Sequence, residues 1–237
     1  MQELISIENV SKKGDEGKDI LVDIAAKVFD GELITIIGPS GSGKSTLLSL
    51  LNRMNEPDKG IIKFKGKPYS EIDILHLRRK IGMVFQLPTM LKGTVRDNII
   101  VGSKIHNEII EEQEIDAWLN KVGLATEIKY QDARTLSGGQ KQKVSLARAL
   151  ANKSEVLLLD EVTASLDPDS ISEIEELVQS LHKEKKTILW ITHNIEQAER
   201  MGQYTWVLSE GRFIEQGKTN ELFTNPKQEI TRRYIQV

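Results

Sequence analysis

The sequence predicts an α/β protein: a largely parallel sheet with an antiparallel β flank and a block of helices inserted into it. Three observations lead there. Short runs rich in Ile and Val alternate with longer amphipathic stretches, the pattern of a layered sheet-and-helix architecture. A glycine-rich run, Gly38-Pro39-Ser40-Gly41-Ser42-Gly43-Lys44-Ser45-Thr46, separates one such strand from a helical stretch. Between residues 94 and 152 the strand-like runs vanish and polar, helix-favouring sequence takes over.

Taken in order, candidate strands fall at residues 4–10, 33–37, 61–64, 81–84, 156–159, 187–191, 205–209 and 212–216. The first and last few of them are expected to form the antiparallel flank, and the last two join through Gly211 in hairpin fashion. Helix-favouring stretches cover residues 107–122 and 140–151, and in the second Val144, Ala147, Leu150 and Ala151 share one helical face. The expected layout is a single domain over residues 1–237, with a core lobe of about 1–88 and 154–237 and a helical subdomain of about 89–153. A chain of 237 residues is long enough to bury a sizeable core. No internal repeat, low-complexity tract or sustained heptad pattern is present.

Composition narrows the function classes. The net charge is −3, with both signs mixed along the chain, so there is no global footprint for nucleic acid and no nucleic-acid partner is expected. The absence of cysteine removes disulfides, thiolate zinc sites and cysteine nucleophiles, and fits a reducing compartment. The N-terminus lacks the charged and apolar regions of a secretory signal. Apolar runs at 34–37, 156–159 and 188–191 fall far short of the roughly 20 residues a spanning helix needs. A soluble, cytoplasmic chain is expected, with any membrane link made through a partner.

The glycine-rich run matches G-x-x-x-x-G-K-[ST] between a strand and a helix, the context that pattern requires. Its glycines let successive amides turn inward, and the helix N-terminus adds partial positive charge, so the loop forms a cradle for β and γ phosphates. Gly38, Ser40, Gly41, Gly43, Lys44, Ser45 and Thr46 are its candidate nucleotide-binding residues, with Lys44 a point charge and the Ser45 hydroxyl a magnesium ligand. A bare strand-to-helix turn would have no need of Lys and Ser at those two positions. The run Val156-Leu157-Leu158-Leu159-Asp160-Glu161 places two acids at the end of a buried strand, where open α/β sheets bind ligands. Alone, such an Asp is more often a cap or a turn residue. Downstream of the phosphate loop, Asp160 becomes the candidate magnesium carboxylate and Glu161 the candidate general base.

Thr135-Leu136-Ser137-Gly138-Gly139-Gln140 precedes the helical stretch that follows and offers exposed amides at a helix start, a second anion-binding geometry. By composition only, a loop with an N-cap is the commoner reading. Leu136-Ser137-Gly138-Gly139-Gln140, set between the phosphate loop and residues 156–161, resembles the signature motif of ABC ATPases, and the resemblance covers essentially the whole chain. It implies a P-loop NTPase (RecA-like) core that binds ATP and Mg2+. It further implies a head-to-tail homodimer in which Ser137, Gly138, Gly139 and Gln140 of one copy close over the γ phosphate held by the other. Gln86 resembles the glutamine that contacts magnesium and water, His193 the switch histidine that touches the γ phosphate, and Ser165-Leu166-Asp167-Pro168 the loop along the dimer interface. The remaining histidines, His76, His106 and His182, carry no motif and are expected to be solvated.

The family usually carries an adenine-stacking aromatic shortly after the first strand, but Gly14 stands there, with Ile20 the candidate apolar substitute. The implied role is ATPase subunit of a bacterial ABC transporter. Such a subunit lies on the inner face of the cell membrane, bound to an integral permease subunit, with a solute-binding protein added in an importer. Leu87, Met90 and Leu91 are the expected groove for that permease, with ordinary packing between lobes as the rival explanation. Residues 51–55, 81–86 and 221–226 resemble phosphate- and amino-acid-importer ATPases, and import of such a solute is expected; residues 88–91, 93–95 and 187–193 also resemble small metal-ion exporter ATPases. Soluble relatives that act on DNA or ribosomes carry a long coiled coil or a second cassette, and neither is present.

Overall fold

The computed structural model describes residues 2–15 and 17–236. Two sheets organise it. A six-stranded sheet has the order β10-β9-β3-β8-β7-β6, built from β3 (Leu33–Ile37), β6 (Ile81–Val84), β7 (Val156–Asp160), β8 (Thr187–Ile191), β9 (Tyr204–Ser209) and β10 (Arg212–Lys218). All its pairings are parallel except β9 with β10. The second sheet is antiparallel, in the order β2-β1-β4-β5, from β1 (Glu3–Lys13), β2 (Asp19–Phe29), β4 (Lys59–Phe64) and β5 (Lys67–Pro68).

The helices are α1 (Lys44–Leu51), α2 (Ile74–Lys80), α3 (Val95–Ile99), α4 (Val101–Ile105), α5 (Glu112–Lys121), α6 (Gly138–Ala151), α7 (Pro168–Lys183), α8 (Ile195–Met201), α9 (Thr219–Thr224) and α10 (Glu229–Ile235). Helices α3 to α6 all fall between β6 and β7, which are hydrogen-bonded neighbours. No helix among the described residues is long and apolar enough to cross a membrane.

Both faces of the large sheet are covered, which is why its strands read as unbroken apolar runs. Successive side chains on a strand point to opposite faces. Leu157 and Leu159 of β7 and Ile188 and Trp190 of β8 therefore pack with Val95, Ile115 and Val144 of the helical insert. Val156, Leu158, Leu189 and Ile191 pack instead with α1 and the antiparallel sheet. Truncating one such buried Leu to Ala costs about 2–5 kcal/mol.

The structure departs from the sequence reading in several places. The strand β2 was not expected, and it forms the edge of the antiparallel flank, paired with β1. The last strands do not join that flank: β9 lies parallel to β3 in the main sheet and β10 covers its edge. Helix α5 begins at Glu112, where Glu114 Oε2 accepts the Glu111 amide at 3.3 Å. On α6, Leu150 is only half-buried, while the buried face also takes in Leu146 and Ala149. His182 is half-buried, with Nε2 3.0 Å from Gly31 O, rather than solvated; His106 is half-buried and His76 exposed.

Because β3, β7 and β8 run parallel in register, their C-terminal ends Ile37, Asp160 and Ile191 reach one edge of the sheet. The phosphate loop, the Asp160–Glu161 pair and His193 all emerge there.

Candidate functional site

The loop between β3 and α1 is shaped by two glycines that admit no side chain. A Cβ on Gly38, at φ +149, would lie 1.9 Å from Leu208 O; one on Gly43, at φ +101, would lie 2.8 Å from Leu21 Cδ2 and 2.9 Å from Ile20 O. Gly43 caps α1 without a side-chain hydrogen bond, and the first turn carries no acidic residue. The first-turn amides there are free of side-chain acceptors, an arrangement that can hold an anion.

Lys44, 5% exposed, donates from Nζ to Gly38 O and Pro39 O, both at 2.9 Å. Burial lowers its pKa, and the nearby Glu161 and Asp160 carboxylates oppose that shift. Ser45 Oγ donates to Asp160 Oδ1 at 3.1 Å. The pKa of Asp160 is raised, chiefly by burial and further by Glu161, against the opposing Ser45 hydrogen bond and the Lys44 and His193 charges.

Glu161 adopts φ +48 and anchors its amide on Ile191 O at 3.0 Å. A left-handed backbone at a residue with a side chain costs roughly 1–2 kcal/mol, offset here by the bridge to β8. The turn puts Glu161 Oε1 2.6 Å from His193 Nε2. Behind His193, Thr192 Oγ1 donates to Gln197 Oε1 at 2.6 Å, and Asn194 caps α8 by accepting the Gln197 amide at 2.9 Å. Gln197 also accepts from Thr163 Oγ1 at 3.2 Å and donates to Glu175 Oε1 at 2.8 Å, while Arg200 grips both Glu175 oxygens. This buried network ties the segment after Glu161 to the loop holding His193. The sequence reading missed it, although Asn194 and Gln197 have the spacing of a cap and its third helical residue.

A cavity of about 340 Å3 lies over the loop, lined by Ile20, Ser40, Gly41, Gly43, Lys44, Ser45, Thr46, Glu161 and His193. A second, of about 410 Å3, flanks the loop on the side of Lys18, Asp19 and Ile20. Ile20 lines both. It also lies next to Gly14, whose added Cβ would meet Ile20 Cδ1 at 3.2 Å.

Two groups of expected residues are not brought to this cavity. Gln86 is exposed just past β6 and makes no hydrogen bond among the described residues; the insert's link to that strand end is Gln142 Nε2 donating to Phe85 O at 3.1 Å. Ser137, Gly138, Gly139 and Gln140 line neither cavity. They form the start of α6, with Ser137 Oγ accepting the Gln140 amide at 3.2 Å and Gln140 Oε1 accepting the Ser137 amide at 3.0 Å. Gly139 is required by packing, since a Cβ would lie 2.7 Å from Ser170 Oγ at the start of α7. Asp167, in the segment after Glu161, caps α7 by accepting the Ser170 amide at 2.9 Å. The expected groove residues differ in exposure: Leu87 is 73% and Leu91 46% exposed, while Met90 is half-buried against the core. They follow a cavity of about 390 Å3 between Met83, Phe85, Pro88 and Arg148.

The model of the ABC transporter family matches residues 21–164. YjkB of Bacillus subtilis, itself named only as a candidate ABC transporter ATP-binding protein, is 42% identical, covering 97% of this chain and 92% of its own length. The phosphate import ATP-binding protein PstB of Campylobacter jejuni is 41% identical, covering 92% of each. Among solved structures, the dimeric ATP-binding cassette MJ0796, in a post-hydrolysis state with ADP and Pi, superposes with a TM-score of 0.82 at 28% identity, over 91% of this chain and 99% of that one.

Proposed function

The chain belongs to the ABC transporter ATP-binding family and hydrolyses ATP, and we propose that it does so as a homodimer driving phosphate import through a separate membrane subunit. The observation that carries the reading is the convergence, over the amide-lined phosphate loop, of Lys44, the Ser45–Asp160 pair and the Glu161–His193 pair.

In this reading Lys44 leaves the loop carbonyls for the β and γ phosphates, and the amides of Gly38, Ser40, Gly41, Gly43, Lys44, Ser45 and Thr46 cradle the rest. The Glu161 carboxylate takes the proton from a water that attacks the γ phosphorus; the bond to the ADP oxygen breaks and ADP and phosphate part. His193 holds Glu161 in place and reaches the γ phosphate. Catalysis is then mostly positioning and charge neutralisation.

Ser45 Oγ and Asp160 Oδ1, 3.1 Å apart, supply the oxygen donors that a hard cation prefers. No group of three or more His, Cys, Asp or Glu among the described residues is placed to hold a metal ion by itself; magnesium, which keeps waters and phosphate oxygens, needs no such group. Held by Ser45 and Asp160, magnesium would neutralise phosphate charge; Gln86, exposed beyond the cavity, would have to move in to reach it.

Ser137, Gly138, Gly139 and Gln140 serve the second copy. The Ser137–Gln140 cap takes two of the amides at this helix start and leaves those of Gly138 and Gly139 for an anion that the chain's own phosphate loop does not hold, so a head-to-tail pair completes both centres. The apolar residues around Leu87 and Leu91 receive the permease, which holds the chain on the inner face of the membrane; an extracytoplasmic solute-binding protein delivers the cargo. Phosphate is favoured over other cargo by the PstB relative at 41% identity.

The test is copurification with the membrane subunit, reconstitution into vesicles, and uptake of labelled phosphate on ATP. Phosphate accumulation that also stimulates hydrolysis is expected. Stimulation by a divalent metal ion, with metal leaving the cytoplasmic side, would replace the importer reading with the exporter one.

A further inference from the structure

The last helix returns to the first residue of the phosphate loop. Tyr234 OH donates to Gly38 O at 2.8 Å, across 196 positions of sequence. The same carbonyl accepts Lys44 Nζ at 2.9 Å. One buried oxygen thus takes one donor from the C-terminal helix and another from the loop's own lysine.

The donor is held firmly. The Tyr234 ring and Ile235 pack on the small apolar cluster of Ile37, Ala198, Val207 and Leu222. The start of α10 is fixed by the Glu215 carboxylate, which accepts the amides of Lys227 at 3.0 Å and Gln228 at 3.2 Å, and Thr231 in its middle is fully buried. Gly38 is packed closely on the side facing Leu208 O, where an added Cβ would lie 1.9 Å away.

We propose that Tyr234 is a positioning residue of the nucleotide site, keeping the Gly38 carbonyl satisfied so that Lys44 can exchange the loop for phosphate. A carbonyl has two lone pairs. When Lys44 moves, the Tyr234 hydroxyl keeps one of them engaged. Without that hydroxyl the departure of Lys44 would strand a buried acceptor, and leaving such a group unpaired is expensive. The cost would fall on nucleotides that draw Lys44 away and spare those that do not. This rests on the reading that the loop holds ATP.

The experiment is Tyr234→Phe in the full chain, which keeps the ring in its apolar seat. Affinities for ATP, ADP and AMP are measured by titration calorimetry, with hydrolysis kinetics and the nucleotide-free melting temperature alongside. ATP and ADP, which reach Lys44 through their outer phosphates, are expected to bind about 5- to 100-fold more weakly. AMP affinity should stay within about twofold of wild type by the same argument. The kinetic loss should sit mainly in KM rather than kcat. Equal losses for AMP and ATP, unchanged ATP affinity, or a fall in kcat that tracks a lowered melting temperature would each overturn the proposal. Failure of the wild-type chain to bind ATP would instead defeat the reading beneath it.

Discussion

Gly14→Tyr tests how the chain holds the nucleotide base. Gly14 sits at the mouth of the turn after β1, its amide bonded to Lys18 O at 2.9 Å, and its backbone is not in the left-handed region, so a side chain is tolerated. A new Cβ would meet Ile20 Cδ1 at 3.2 Å and Cγ1 at 3.6 Å, with Lys18 O beyond at 3.8 Å. The tight contact is with the free end of a flexible side chain. Relaxing it costs about 0.5–1 kcal/mol, at the low end of overpacking penalties. An aromatic stacked on a base contributes about 1–3 kcal/mol. Taken at the midpoints, the balance is about 1.2 kcal/mol, or roughly 8-fold tighter binding. Calorimetric titration with ATP, with tripolyphosphate as the control lacking a base, isolates the effect. ATP should gain and tripolyphosphate should not. Unchanged ATP affinity, or an equal gain for both ligands, would refute the argument that Ile20 now covers the base in place of a ring.

Asp160→Asn should separate stability from activity. The folded pKa of Asp160 lies above its unfolded value, chiefly through burial, so its favourable contribution is present below the unfolded value of about 4 and is lost as pH rises through the folded one. At pH 7.5 the nucleotide-free fold carries a half-buried carboxylate charge beside Glu161; the amide removes it, and melting should occur at higher temperature while hydrolysis is lost, with the gain shrinking in acid. A lower melting temperature at pH 7.5 would contradict this. Gly139→Ala should lower stability by about 1 kcal/mol, an overpacking cost of about 2 less a helix preference for Ala of about 1, because the added Cβ falls 2.7 Å from Ser170 Oγ. Adding Ser170→Ala should recover most of the loss in thermal melts, and additive losses would show that the contact between α6 and α7 is not the cause.

Much of this was legible because it is local. The phosphate loop, the strand before it and the helix after it are contiguous, and the acids at the end of β7 announce themselves by following an apolar run. β2 was illegible for a physical reason. Its buried residues Leu21, Ile24 and Val28 are spaced three and four apart, as on a helix, because irregular pairing with β1 and the positive φ of Asp23 break the two-residue alternation of a strand. The sheet that β9 would join depends on long-range pairing that no local pattern carries. Nor does any local pattern announce Tyr234, whose partner is 196 residues away. The start of α6 was the reverse case: its cap was readable, and what the cap hides is that Gly139 is needed for contact with α7 as well as for its amide.

The arrangement of two copies can be tested on a chain that contains no cysteine. One tagged copy carries Ser40→Cys, at an exposed loop position, and a differently tagged copy carries Gly138→Cys, where a new Cβ would meet only Leu166 Cδ2 at 3.9 Å. Both also carry Glu161→Gln, which should leave ATP binding intact and stop turnover. With ATP and magnesium, a disulfide should join the two tags into a species of twice the mass, and it should be absent without nucleotide. ATP bound at full occupancy with no link between the tags would contradict the head-to-tail pair and leave a phosphate-loop enzyme that works alone.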